Sequence, residues 1–435
     1  MSSEFAKRCD VVMAYSFVAM IYFLPIAPAF IESFFGIIFL TYLIKRSYLF
    51  FSVGKFKKNF YGNFLAFIRA FKPVSNPLNM YFGYYVLIAA ISIIMNDHIA
   101  VGFKGLFFKT LQGIFTYFLF VESVNTRRRL RVFSYAFLLS ITLIVTNGVF
   151  QYFTKEGFVR HVPITDGRVT SSFMHANNFG GYLLIAILFT LCLTVSFKRN
   201  GFIHKEEFLS RPLVRVFLGI LCVAGLLCIG LTFSRSAWLS LIVALTVLGL
   251  RRPKFFLLPA GVVVILLLYF VPLMIIDRDT IYTLDSVFSH SSRFRYWFTP
   301  MIIIRENLFF GIGLNAYSVV AADYPLPYHV DPWRGDPHNC YLQMAAEIGI
   351  FGLGVFIAML VAFFRAVRKG LEQCVNRTSY NMLLGVSLGL VGFLIQSTLD
   401  TNFYNTKLDA LMWVMMGFAM ALKKVELAEN SMPKD

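Results

Sequence analysis

Charged residues are scarce in this sequence: they make up 14% of 435 residues, against 58% hydrophobic residues and a mean hydropathy of +0.68. A soluble domain of this length needs a polar surface that such a composition does not supply. The 49 Phe and 21 Tyr are typical of membrane helices with aromatic belts at the lipid–water interface. The composition therefore excludes a soluble globule and predicts an all-α polytopic membrane protein.

Motifs for nucleotides and metals are also missing. The sequence contains no Walker A loop, no GxGxxG between a strand and a helix, and no paired acidic cluster for a metal-bound nucleotide sugar. None of the six cysteines forms a CxxC pair, which argues against a zinc site or a disulfide framework. The net charge of +17 comes without nucleic-acid-binding motifs. We therefore expect no cofactor, no metal and no nucleic-acid partner.

Long apolar runs are what the sequence has in abundance. Runs of about 20 residues are long enough to cross a bilayer core. With ends uncertain by a few residues, they predict twelve transmembrane helices, at 11–27, 29–45, 79–96, 105–124, 132–153, 179–197, 215–233, 236–250, 255–276, 348–366, 380–399 and 407–423. With the N-terminus inside, 28 basic residues fall on the inner side and 10 on the outer side. Because Lys and Arg favour cytoplasmic loops, both termini are predicted to be cytoplasmic.

This topology divides the sequence into three parts. Residues 1–276 hold the first nine predicted helices, and residues 348–435 hold the last three with a short cytoplasmic tail. Residues 277–347 between them form a large outer loop, rich in Tyr, Trp, Phe and Pro. A loop of this length is usually functional or disordered, and its aromatic content favours a packed, partly helical vestibule. We expect the chemistry of the protein to take place there.

Two outer arginines are candidates for binding phosphate, whose oxygens match the guanidinium fork. Arg235 follows Ser234 in the turn between two predicted helices, where an arginine must be paired or face a wet cavity. The alternative is that Arg235 reaches to lipid phosphates. Arg293 precedes Trp297 by one helical turn, so the two could share a face. The alternative for Arg293 is a solvated helix on the membrane surface.

His338 is the candidate general base. It stands just before an apolar helix on the predicted outer side, between Pro337 and Asn339. An imidazole titrates near neutrality, and Asp336 or Asn339 could orient the ring. A purely structural histidine is the alternative.

Other polar groups also fall at the predicted outer ends of helices. The cluster from His175 to Asn178 is predicted mainly to cap a helix. Asp400, Lys104 and Lys109 could line the same cavity as His338, and the sequence does not rank them.

Four motifs together resemble the O-antigen ligase family of bacterial inner-membrane proteins. They are Ser234-Arg235-Ser236-Ala237-Trp238, Ser292-Arg293 with Trp297, Phe310-Gly311-Ile312-Gly313, and Pro337-His338-Asn339-Cys340-Tyr341-Leu342 continuing into Glu347-Ile348-Gly349-Ile350-Phe351-Gly352. The resemblance covers roughly residues 168–400, and the last run is its most specific part.

The resemblance implies an integral-membrane, GT-C-like glycosyltransferase that needs neither metal nor ATP. Such an enzyme transfers O-antigen polysaccharide, with inversion, from undecaprenyl pyrophosphate to lipid A-core at the periplasmic face of the inner membrane. Its partners are these two lipid substrates and the surrounding membrane lipids. Carried over by motif, Arg235 and Arg293 would hold the pyrophosphate and His338 would act on the acceptor hydroxyl. Asn339 and Arg168 would add substrate contacts.

Three alternatives share part of this pattern. An O-antigen polymerase and a protein O-oligosaccharyltransferase use the same lipid donor. The second is generally longer, with added domains after the last span, whereas this sequence runs only a few residues past Lys424. A transporter of lipid-linked glycans is less expected, because transporters place charges near the middle of their spans and this sequence gathers them outside.

Overall fold

A computed structural model describes residues 2–52, 74–197, 211–251, 257–265, 294–324 and 336–430, and the isolated residues 67, 71, 209, 253 and 268. Its regular elements are helices within these ranges, and extended pairing is limited there to two isolated bridges beside Arg168 and Glu156. The helices are α1 Ser2–Phe23, α2 Pro28–Ser52, α3 Asn79–Ile94, α4 Ile99–Gly105, a π segment Leu106–Leu111, α5 Gln112–Ser123, α6 Arg127–Thr154, α7 Ala176–Val195, α8 Pro212–Leu231, α9 Arg235–Arg251, α10 Leu257–Ile265, α11 Phe294–Glu306, α12 Tyr317–Val320, a 3₁₀ turn Ala321–Asp323, α13 Cys340–Gln373, α14 Arg377–Gln396, a 3₁₀ turn Asn402–Tyr404 and α15 Thr406–Asn430.

Each of the twelve predicted spans overlaps a helix, and the ninth lies partly outside the described residues. Within the described ranges, six helices are long and apolar enough to cross a membrane: α2, α6, α7, α8, α13 and α14. The all-helical architecture with several membrane-length helices is that of a polytopic membrane protein. The count of twelve spans and the GT-C-like class stay predictions.

Helices α7 and α14 form the centre of the bundle, and small residues bring them together. Gly385 and Gly389 lie on α14 so that a Cβ atom at either would approach the α7 backbone, at Phe189 and Ile185, to 2.8 Å. This small-xxx-small spacing lets two helices pack backbone to backbone in an apolar environment. The glycines of α14 therefore hold it close against α7.

Helix α13 begins eight residues before the predicted span and breaks where that span was expected to start. Asn339 caps it, its Oδ1 accepting from the backbone N–H groups of Tyr341 and Leu342, both at 3.0 Å. At Ile348 and Gly349 the backbone leaves helical geometry, with φ +70° at Gly349. The predicted boundary between loop and membrane helix therefore corresponds to a break inside one helix.

The glycine turn Phe310–Gly313 attaches to this break. The N–H groups of Ile312 and Gly313 donate to the carbonyls of Ala346 and Glu347 at 2.9 and 3.0 Å. Gly311 and Gly313 have φ of +68° and +103°, a region that glycine occupies without strain. A Cβ atom at Gly349 would overlap the carbonyl oxygen of Phe309. Two motifs that lie apart in the sequence thus form one joint, which attaches the residues around Gly311 to α13.

Candidate active site

A cavity of about 900 Å³ opens at one end of the bundle. Three loops line it: residues 165–178, residues 336–338 and residues 400–405, with Ser318 at the side. Arg168, His338 and Asp400 lie in its wall. The cavity is wide enough for a sugar phosphate, and its polar lining offers both a cation and a titratable ring.

His338 sits in the wall in a strained conformation. Its φ is +48°, in the left-handed region that costs a residue other than glycine about 1–3 kcal/mol. Its Nδ1 lies 3.6 Å from Oδ1 of Asp400 and makes no hydrogen bond within the described part of the chain. The ring of Tyr296, on α11, packs edge-on against the imidazole with 5.5 Å between centroids. Strain held in place by such contacts is common at functional sites.

The pairing of His338 with Asp400 depends on contacts between the start of α13 and the loop after α14. The Cys340 N–H donates to the carbonyl of Ser397 at 2.9 Å, and its Sγ lies 3.1 Å from the carbonyl of Asp400, sixty residues later in the chain. The Phe403 N–H donates to the same Sγ at 3.3 Å. Cys340 therefore locks the loop that places the Asp400 carboxylate beside the imidazole.

Asn339 has a structural task that the sequence did not reveal. Its side-chain oxygen caps α13 and is buried, so it satisfies helix N–H groups that would otherwise lack partners. A substrate contact would have to come from its amide nitrogen, and that role stays a prediction. The cap also fixes the direction in which the chain leaves His338.

Arg168 joins the cavity to the neighbouring turn. Its Nε donates to the carbonyl of Thr232 at 2.7 Å, and its NH2 donates to Oδ1 of Asn177 at 2.8 Å. The carbonyl of Asn177 accepts from Gln396 at 3.0 Å, and Gln396 in turn accepts from Asn402 at 3.2 Å. A hydrogen-bonded chain therefore runs from Arg168 to the loop that carries Asp400.

The other two predicted arginines are not among the described residues that line the cavity. Arg235 begins α9 and is exposed, close in sequence to Thr232, the residue that Arg168 contacts, but it does not line the cavity. Arg293 lies outside the described residues. Tyr296, three residues after Arg293 in the sequence, contacts the ring of His338. The structure thus places Arg168 and His338 in the wall of one cavity, and the roles of Arg235 and Arg293 stay predictions.

The cluster at His175 was expected mainly to cap α7, and this expectation is wrong for His175. His175 is the residue before the helix, but its side chain makes no capping hydrogen bond. The backbone carbonyl of His175 accepts from Asn178 and Phe179 instead, and Asn177 is bonded to Arg168. The backbone N–H groups at the start of α7 are therefore bonded to a backbone carbonyl. Residues 175–178 line the cavity.

Tyr404 is a cavity residue that sequence reasoning missed. Its hydroxyl donates to the buried carboxylate of Glu347 at 3.2 Å. Burial first, and the nearby Glu347 carboxylate second, raise the pKa of Tyr404 well above its ordinary value. The phenol therefore stays protonated at neutral pH and remains a hydrogen-bond donor. The ring lies at the junction of the wall with the membrane helices.

Comparison with known proteins adds two findings. A family model described as O-antigen ligase matches residues 220–357. The chain is also 23% identical over 359 residues to the O-antigen ligase of Salmonella typhimurium (strain LT2), covering 78% of this chain and 81% of that protein. The matched family region contains Arg235, Arg293 and His338, whereas Arg168 and Asp400 lie beyond its ends. These matches confirm the resemblance to the O-antigen ligase family that was drawn from the motifs.

Proposed function

We propose that the protein is an O-antigen ligase. It transfers a polysaccharide from undecaprenyl pyrophosphate to lipid A-core at the periplasmic face of the bacterial inner membrane, in lipopolysaccharide biosynthesis. The observation that carries the proposal is the cavity in which a strained His338 faces Asp400 and shares the wall with Arg168. The family match and the name of the Salmonella relative support the same class of reaction.

The leaving group sets the first chemical requirement. When the bond between the anomeric carbon and the pyrophosphate oxygen breaks, its electron pair stays on the pyrophosphate and adds negative charge there. Arg293 and Arg235 are proposed to bind this charge, with Arg168 as a further cation in the cavity wall. Guanidinium groups fixed in a site of low dielectric stabilise such charge strongly, in the place where other glycosyltransferases use a metal ion.

The acceptor hydroxyl sets the second requirement. Its oxygen forms the new bond to the anomeric carbon from the face opposite the leaving pyrophosphate, which inverts the configuration. Its proton moves to His338. Because Nδ1 faces Asp400, Nε2 is the ring nitrogen proposed to take the proton. Asp400 then holds the ring in place and stabilises the imidazolium that forms, the role that a carboxylate plays behind a catalytic histidine.

The polymerase reading uses the same chemistry with a different acceptor. In that case the hydroxyl belongs to a second lipid-linked glycan, and the product stays on the lipid carrier. A protein acceptor would mark an oligosaccharyltransferase. The identity of the acceptor separates all three.

The experiment supplies the acceptors directly to the purified protein. The full chain in vesicles receives lipid-linked glycan, lipid A-core and a carrier protein, in buffer containing a chelator and no nucleotide. We expect lipid A-core to gain the glycan, visible as slower migration on gels. Longer glycans on the lipid carrier, or glycan on the carrier protein, would replace the ligase proposal with one of the alternatives.

A further inference from the structure

A second cavity adjoins the first at Tyr404, which lines both. It measures about 380 Å³ and is lined by α4, the π segment, α5 and the start of α15. Lys104 and Lys109 lie in its wall, on the same end of the bundle as His338. Arg168, His338 and Asp400 do not line this cavity.

The stretch of helix that carries both lysines contains the π segment Leu106–Leu111. In an α-helix with 3.6 residues per turn, side chains five residues apart point to different sides. A π segment closes its hydrogen bonds over five residues, so the wider turn returns the chain to nearly the same side. Lys104 stands two residues before the π segment and Lys109 lies within it, so the wider turn reduces the angle between their side chains, and both line the cavity. Such π segments often occur at functional sites.

Lys109 is held towards the shared wall. Its Nζ donates to Oδ1 of Asn315 at 2.5 Å and lies 5.9 Å from the centre of the Tyr404 ring. Gly105 permits this closeness, because a Cβ atom there would approach the Cβ of Asn315 to 2.5 Å. The ammonium group of Lys109 has three hydrogen-bond donors. Its bond to Asn315 and its position beside the Tyr404 ring hold the positive charge at the boundary of the two cavities.

The remaining lining combines features of sugar binding and lipid binding. The carboxylates of Glu32 and Asp409 accept from Gln112 and Trp413 at 2.8 and 3.0 Å, and each keeps further lone pairs for hydroxyl donors. Phe107 and Phe108 are exposed on the adjoining helix surface, at 57% and 70%. Ammonium groups suit phosphate, carboxylates suit sugar hydroxyls, and exposed phenyl rings suit acyl or prenyl chains.

We propose that this second cavity binds the phosphorylated sugar of a membrane glycolipid, with Lys104 and Lys109 on the phosphate and Tyr404 between it and the catalytic cavity. The inference rests on the proposed function, because both substrates of a ligase are phosphorylated glycolipids. A site for the second substrate must lie beside the site of the first, and the shared Tyr404 wall meets that condition.

The test measures lipid binding and needs no turnover. The full chain in detergent receives three probes in turn: farnesyl pyrophosphate for the donor chemistry, lipid A bisphosphate for the acceptor chemistry, and uncharged diacylglycerol as the blank. Dissociation constants are compared for the wild type, for the K104Q/K109Q double variant and its two single variants, and for K155Q. Lys155 is the matched control, because it belongs to another loop and does not line the cavity.

We expect K104Q/K109Q to raise the dissociation constant for one phosphorylated probe about tenfold or more, the effect of losing charge-assisted hydrogen bonds. K155Q should leave that constant unchanged. The affected probe shows whether the cavity takes the donor or the acceptor. Unchanged constants for both phosphorylated probes, or no binding of either by the wild type, overturn the proposal. The two proposals can also fail separately. If K104Q/K109Q loses binding but the wild type transfers no glycan to lipid A-core, the ligase function is contradicted while the lipid site is supported.

Discussion

At the scale of single residues, the proposed proton transfer depends on how the His338 ring is positioned. Pro337 precedes it, Asn339 after it caps α13, and Asp400 and Tyr296 contact its ring. These constraints hold a backbone conformation that a histidine would otherwise leave. The left-handed turn aims the ring into the cavity, at some cost to stability.

Asp400→Asn tests the carboxylate behind the ring. Asparagine keeps the size of the side chain and an oxygen for the Thr401 N–H, now 3.1 Å from Oδ1, but it removes the charge that would stabilise an imidazolium. We expect kcat for glycan transfer to fall by about 10- to 100-fold, with KM for the donor unchanged. Asp323→Asn, an exposed residue, is the control. A rise in KM without a fall in kcat would reduce Asp400 to a packing residue.

Arg293→Lys tests the pyrophosphate role that was inferred from sequence. An ammonium cannot reproduce the two parallel hydrogen bonds of a guanidinium fork. Losing such a contact in the transition state typically lowers the rate by about 10²- to 10³-fold. The control is Arg305→Lys, because Arg305 is exposed at the end of α11. Equal transfer rates in the two variants would remove Arg293 from the site.

The roles of individual residues could be predicted only in part from the sequence. His338 was found because it stands between Pro337 and the start of an apolar helix. Asp400 was noticed but could not be ranked, because its partner lies far away in the chain and contacts made by Cys340 bring them together. His175 looked like a cap, yet Asn177 beside it accepts from Arg168, nine residues earlier, a contact that the folding of the loop sets and that sequence spacing does not reveal.

At the scale of elements, apolar runs located the helices well. The run 380–399 corresponds to Arg377–Gln396, and the run 179–197 to Ala176–Val195. The early start of α13 was missed, because its first turns are stabilised by the Asn339 cap and by contacts with Ser397 rather than by membrane-length hydrophobicity. The π segment was missed too, since its residues are ordinary for a membrane helix.

Gly349→Ala tests the joint between the glycine turn and α13. Alanine would combine an unfavourable positive φ with a clash against the Phe309 carbonyl. We expect the free energy of unfolding to fall by about 3 kcal/mol or more. Gly354→Ala lies on the same helix with open space around it, so it should change stability by only about 1 kcal/mol or less. Thermal unfolding in detergent compares them, and equal melting temperatures would contradict the joint.

At the scale of the whole molecule, charge distribution predicts orientation while packing determines shape. The basic residues cluster in loops on one side of the predicted spans, a signal available from sequence alone. The number of spans is harder, because several helices are short for a hydrocarbon core of about 30 Å. Helix α9 has 17 residues and α3 has 16. How such helices sit in the membrane depends on their neighbours.

Cysteine labelling tests the orientation. All six native cysteines are buried and free, so an impermeant maleimide should report mainly on added cysteines. Met174→Cys, exposed in the cavity wall, should react in intact spheroplasts, because the cavity is predicted to be periplasmic. Lys424→Cys, exposed on α15, should react only after permeabilisation. The opposite pattern would invert the topology and move the cavity to the cytoplasm.

The most direct measurement is the rate of glycan transfer to lipid A-core by His338→Ala and wild-type protein, with donor binding measured on the same samples. The account predicts that His338→Ala binds lipid-linked glycan as the wild type does but transfers it about 10²- to 10⁴-fold more slowly, the contribution of a general base. Transfer by His338→Ala at the wild-type rate would contradict it.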